Sequence, residues 1–103
     1  MKKYLRVKLQ NIRVTGKELN YSGSLKLGKR IMEEAGLEPY EMVLVVNVET
    51  GARFETYVNP GEGEEVVLQG GAARLGEVGD RLIVMGFVWA ERAPGKPKVL
   101  VYG

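Results

Sequence analysis

The sequence contains no cysteine and no histidine. The first absence removes disulfides and thiolate chemistry and fits a reducing compartment. The second removes the commonest general base. Together they remove the nitrogen and sulfur donors of most transition-metal sites, so no metal is expected. Any catalysis must come from Ser, Thr, Tyr, Lys, Arg or carboxylates. A strong net charge is also lacking: 15 basic residues against 13 acidic ones leave +2, too little to argue for nucleic acid or a membrane surface. No apolar run approaches the roughly 18 to 20 residues that a membrane span requires, and the N-terminal stretch has no apolar signal-peptide region. The absences point to a cytoplasmic protein.

What is present is an ordinary globular composition. With 103 residues, 45% of them hydrophobic, the chain is expected to form one domain over residues 1–103 around a single modest core. Leu5, Val7 and Leu9 alternate with Arg6, Lys8 and Gln10, the period of a strand with one buried face, which turns Lys8 away from the core. Ile12 and Val14 resume in the opposite phase, so a bulge or bend is expected near Asn11. Thr15-Gly16-Lys17-Glu18 has capping-box spacing and predicts a short helical turn from Thr15.

Further along, Leu25 and Leu27 read as a brief strand, and Gly28 to Ala35 as a helix closed by Gly36. Met42 to Val48 is almost continuously apolar and predicts a strand covered on both faces. Hairpin residues then lead into a strand from Arg53 to Val58, with Arg53, Glu55 and Tyr57 on one face and Phe54, Thr56 and Val58 on the other. A turn is expected over Asn59 to Gly63, then a short strand over Glu65 to Leu68. Gln69-Gly70-Gly71-Ala72-Ala73 reads as a run of small residues with backbone amides open to a ligand. Strands over Arg81 to Ala90 and Val99 to Tyr102 complete a mainly β chain, and a small closed or nearly closed β-barrel accounts best for so many short strands.

The stretch that organises the rest is Asn20-Tyr21-Ser22-Gly23-Ser24. Taken alone it is a polar turn. Yet a serine whose nitrogen is acylated by an unhindered glycine is also a place where a chain can cleave itself and convert the serine into a cofactor. On their own, Lys8 reads equally as a solvated lysine, Arg53 and Glu55 as a surface pair, Tyr57 as a half-buried core aromatic, and Gly70-Gly71 as a tight turn.

Taken together, Tyr21-x-Gly23-Ser24, Ala35-Gly36-Leu37, Gly51-x-Arg53-Phe54-x-Thr56-Tyr57, Gly70-Gly71-Ala72-Ala73 and Val78-Gly79-Asp80 resemble, in sequence and spacing, the pyruvoyl-dependent aspartate 1-decarboxylases. The resemblance runs from Arg6 to Tyr102 and implies a double-psi β-barrel with one or two short helices, assembled as a homotetramer with active sites between subunits. It implies that the Ser24 hydroxyl attacks the Gly23 carbonyl to give an ester, that elimination leaves dehydroalanine, and that hydrolysis leaves a pyruvoyl group at the new N-terminus. That ketone is the electron sink a decarboxylation needs.

By the same resemblance Thr56 stabilises the oxyanion of self-cleavage, and the substrate amine condenses with the pyruvoyl group as a Schiff base. Lys8 and Arg53 hold the carboxylates of a small acidic amino acid, and Tyr57 returns a proton to the carbanion. Tyr21, Gln69, Gly70, Gly71 and Ala72 complete the substrate site, and the product is β-alanine, a precursor of pantothenate and coenzyme A. The chain departs from the pattern in having Gln10 where histidine is usual, Gln69 for asparagine, Gly71 for alanine, and Gly28, Lys29 and Arg30 in place of acidic residues. Two other readings remain open on the residues: a barrel that never matures and binds a dicarboxylate through Lys8 and Arg53, and the same chemistry on glutamate.

Overall fold

The computed structural model describes residues 1–103. Eight strands run in the order β1 (Lys2–Arg13), β2 (Gly16–Glu18), β3 (Leu25–Gly28), β4 (Met42–Asn47), β5 (Arg53–Gly61), β6 (Val66–Gln69), β7 (Arg81–Ala90) and β8 (Lys98–Val101). A helix, α1 (Lys29–Ala35), follows β3, and a 3₁₀ helix (Gly70–Leu75) follows β6. The strands form one sheet in the order β2-β6-β3-β5-β4-β7-β1-β8. Antiparallel pairs are interrupted by parallel ones at β1–β8, β2–β6 and β3–β5. The sheet wraps one core of 18 buried residues, to which β1 gives Val7, Leu9 and Ile12, β3 gives Leu25 and Leu27, and β7 gives Leu82 and Val84. This is the mainly β, small-barrel architecture expected from the sequence.

The phase change in β1 is real: Asn11 takes a left-handed φ of 64°, and the pairing with β7 shifts register between Leu9 and Ile12. An amide side chain tolerates that conformation better than most, and here Asn11 Nδ2 donates to the Tyr102 carbonyl at 2.9 Å. Helix α1 buries Ile31, Met32 and Ala35 and ends on Gly36 at φ 70°, also as expected.

Three expectations fail for identifiable reasons. No helical turn starts at Thr15, because its hydroxyl and amide are both engaged by Val66 across the barrel: Thr15 N donates to Val66 O at 2.7 Å, and Val66 N donates to Thr15 Oγ1 at 2.8 Å. Strand β2 forms instead. Strand β4 is not covered on both faces, since Val43, Val45 and Asn47 are buried while Met42, Leu44 and Val46 face outwards and stay partly or wholly exposed. The expected turn at Asn59-Pro60-Gly61 is the end of β5, whose parallel pairing with β3 extends to Gly61. Proline is tolerated there because nothing in that register requires its missing N–H.

Candidate active site

The Gly23–Ser24 link sits where the chain enters β3, against β5 on one side and the corner between β6 and the 3₁₀ helix on the other. Leu25 pairs with Val58, which sets Ser24 beside Tyr57. Ser24 is 2% exposed, and its hydroxyl donates a short hydrogen bond to the Tyr57 carbonyl. That bond orients Oγ while leaving its lone pairs free. The Ser24 carbonyl in turn accepts from the Gln69 backbone N–H at 2.8 Å.

Two glycines are required here by space as well as by backbone angle. Gly23 has φ 150°, and a Cβ built on it would lie 2.6 Å from Gln69 Oε1. Gly70 has φ 60°, and a Cβ there would stand 3.0 Å from the Gly23 carbonyl oxygen and 3.1 Å from that of Tyr21. The corner thus closes directly onto the backbone carbonyl of the link, an approach that only a residue without a side chain permits.

Gln69 itself is fully buried. Its Nε2 donates to Glu18 Oε1 at 2.7 Å, while its Oε1, turned to Gly23, has no hydrogen-bond partner. A buried amide oxygen without a donor costs about 1–3 kcal/mol, so it is a notable atom to find beside a candidate reactive link.

Of the residues singled out in the sequence, the structure brings together Gly23, Ser24, Gln69, Gly70 and the backbone carbonyls of Tyr21 and Tyr57. Thr56 lies in the same stretch of β5, half-buried and opposite Val43 of β4. The Tyr57 ring packs against Tyr40 at 5.9 Å between centroids and 39° between planes. The Tyr21 side chain is exposed, as is Gly71, whereas Ala72 packs against the core. The run from Gly70, expected to hold backbone amides open to a ligand, is coiled into a 3₁₀ helix.

Lys8 and Arg53 stand elsewhere on the sheet. Lys8 pairs with Met85, Met85 with Leu44, and Leu44 with Glu55. Lys8 is therefore about 14 Å along the sheet from β5, and Ser24 lies one strand further on. Arg53 precedes Tyr57 by four residues on β5, about 13 Å along the strand. Neither cation has an ion pair within the chain. The largest cavities also lie elsewhere: the biggest, about 580 Å³, is lined by residues including Asn11, Ile31 and Tyr102. In that cavity burial and the neighbouring Glu34 carboxylate hold the Tyr102 phenol above its ordinary pKa.

A family profile described as "Aspartate decarboxylase" matches residues 1–103. The chain belongs to the aspartate decarboxylase family. Among curated aspartate 1-decarboxylases, that of Pyrobaculum islandicum is 59% identical over 83 residues, covering 81% of this chain and 69% of the relative. That of Thermotoga petrophila is 46% identical over 100 residues, covering 95% and 87%. That of Coprothermobacter proteolyticus is 49% identical over 89 residues, covering 84% and 74%.

Two residues beside the candidate decarboxylase site escaped the sequence reading. Glu18 was assigned to a capping box and instead bonds Gln69. Tyr40, at φ 69°, is held in a conformation rare for a bulky residue, with its amide donating to Val58 O at 2.7 Å. Glu38-Pro39-Tyr40-Glu41 reads as a turn in the sequence and is one, but the sequence does not mark the positive φ at Tyr40 or its packing on Tyr57. No helix of the chain is long and apolar enough to cross a membrane.

Proposed function

We propose that the chain cleaves itself between Gly23 and Ser24 and, so matured, decarboxylates L-aspartate to β-alanine and CO2 in the cytoplasm, as a homotetramer of single-domain subunits. The observation that carries the reading is the packing at one peptide link. A buried serine hydroxyl is aimed by the Tyr57 carbonyl, and the preceding carbonyl is pressed against Gly70. Family membership gives that packing its chemical sense.

A pyruvoyl group made from Ser24 would supply the electron sink that α-decarboxylation demands. The residues present fit such a group. The Ser24 position is buried, and the Ser24 carbonyl is pinned by Gln69 N–H. In self-cleavage Thr56 donates to the oxyanion that develops on the Gly23 carbonyl oxygen. In turnover Tyr57 delivers a proton to the substrate carbon from its phenol. Arg53 grips a substrate carboxylate with its planar fork and Lys8 holds the other as a point charge. Tyr21, Gly70, Gly71 and Ala72 wall the site.

The separation of Lys8 and Arg53 from Ser24 along one sheet supports a site completed by a neighbouring copy. So does the outer face of β4 and β7, where Met42, Leu44, Val46, Ile83, Met85 and Trp89 form a partly exposed apolar surface.

Intact-mass measurement of freshly purified protein tests the reading. The expected spectrum has two chains, Met1–Gly23 and Ser24–Gly103, the second carrying the converted serine, and Ser24→Ala stays whole and inactive. Only full-length chain after prolonged warming, with no β-alanine formed from aspartate, overturns it. An intact chain that binds a dicarboxylate without turnover would mark it as a binding module.

A further inference from the structure

The residue that fixes the Gln69 side chain has no part in the function so far described. An amide can be turned either way round in its pocket, and here one contact decides which. Glu18 Oε1 lies 2.7 Å from Gln69 Nε2, and a carboxylate at neutral pH offers only acceptors. The NH2 end of Gln69 must therefore face Glu18, which leaves Oε1 facing Gly23. Glu18 is held in turn by Lys26, whose Nζ is 3.6 Å from the same oxygen and 3.9 Å from Glu65 Oε1. Lys26 is two residues beyond Ser24 on β3, so the chain of contacts leaves the reactive link and returns to it.

We propose that Glu18 is a positioning residue for self-cleavage, holding the Gln69 amide so that its oxygen meets the amine released when the Gly23–Ser24 link opens. The inference rests on the self-cleavage reading above. In that step the Ser24 Oγ–Gly23 carbon bond forms and the Gly23 carbon–Ser24 nitrogen bond breaks. The hydroxyl proton ends on the nitrogen. A buried amide N–H becomes an amine with an additional N–H, and each new donor in a site this closed needs an acceptor.

Gln69 Oε1 is the buried acceptor without a partner that lies against Gly23, and the backbone N–H of the same residue already grips the Ser24 carbonyl. Gln69 thus brackets the link, with a donor on one side and an acceptor on the other, and Glu18 keeps the two ends from being exchanged. A flipped amide would present NH2 to the released amine, donor against donor.

The test is the rate of chain scission, followed by intact mass in freshly folded full-length protein. Glu18→Gln keeps the volume but lets Gln69 turn, and is expected to slow scission about tenfold, the effect of losing one oriented hydrogen bond in a closed site. The same change made in a Gln69→Leu background is expected to add nothing, because Glu18 acts only through that amide. Lys17→Ala, which removes the Lys17–Glu77 ion pair (3.0 Å) from the same strand, is the control and is expected to cleave at the parent rate.

Unchanged scission in Glu18→Gln overturns the inference, and so does a full additive loss in the double variant. Equal slowing in Lys17→Ala reassigns the effect to loosening of β2 and overturns it as well. Parent protein that never cleaves overturns the self-cleavage reading itself, whereas a cleaving parent with an indifferent Glu18 overturns only this step.

Discussion

Two amide side chains are fully buried in this barrel, Asn47 at the end of β4 and Gln69 at the end of β6, and they are treated in opposite ways. Asn47 uses everything it has. Its Nδ2 donates to Leu75 O at 3.0 Å and Asp80 Oδ2 at 2.9 Å, and its Oδ1 accepts from the amides of Glu49 and Thr50 at 2.8 and 3.3 Å. It ties the hairpin after β4 to the loop before β7. Gln69 spends its NH2 on Glu18 and leaves its oxygen unpartnered beside Gly23. The satisfied amide reads as architecture; the Gln69 oxygen is set apart by lying against Gly23, since Asn59 Oδ1 is also buried without a partner.

Substitutions can break this contrast. Asn47→Leu strands the partners of four hydrogen bonds and is expected to cost on the order of 3 kcal/mol in a denaturant titration while leaving Ser24 able to cleave the chain. A loss under about 1 kcal/mol would remove Asn47 from its structural role. Gly70→Ala comes next: a left-handed φ of 60° costs a side chain about 1–2 kcal/mol. The added methyl also presses on the Gly23 carbonyl, so both stability and scission should suffer. Gln69→Leu is expected to change stability by no more than about 1 kcal/mol, because it discards an unpaired oxygen and frees Glu18 to turn to water, yet to slow scission.

The smallest effect sharpens the Asn47 side. Glu49, whose amide bonds Asn47, has its carboxyl held below its ordinary pKa chiefly by hydrogen bonds from Arg81, whose Nε lies 2.6 Å from Glu49 Oε2. A depressed folded-state pKa means that this contribution is complete above the ordinary carboxylate range and fades as pH falls through it. Arg81→Gln should therefore lower the melting temperature slightly at neutral pH and not at all in acid. A difference that grows on acidification would refute the assignment.

How far the sequence disclosed this site depended on the range of each interaction. Period-2 patterning located β1, β5 and β7, and the change of phase at Asn11 was written in the order of Leu9, Ile12 and Val14. The Gly-Ser pair and the Arg53 to Tyr57 strand were visible as short residue patterns, although Ser24 and its partner Tyr57 are 33 positions apart. Glu18 was misread because Thr15 to Glu18 satisfies a local capping rule, while the actual partners, Val66 and Gln69, are 51 positions away. The helical coiling after Gln69 was hidden as well, since Gly70 and Gly71 resist helix by propensity, and the packing of Gly70 on the Tyr21 and Gly23 carbonyls and the burial of Ala73 offset it.

The position of β1 carries a last consequence. Hydrogen-bonded to β7 on one edge and β8 on the other, it supplies Val7, Leu9 and Ile12 to the interior while belonging wholly to the segment before Ser24. With the link opened as proposed, that segment would be a separate peptide clamped between β7 and the edge strand β8, and the subunit a non-covalent heterodimer. Its melting then acquires a dependence on the concentration of the two peptides, over and above that of the assembly. Refolding also becomes a meeting of two molecules, because peptides released into solution must find each other before the barrel can form again.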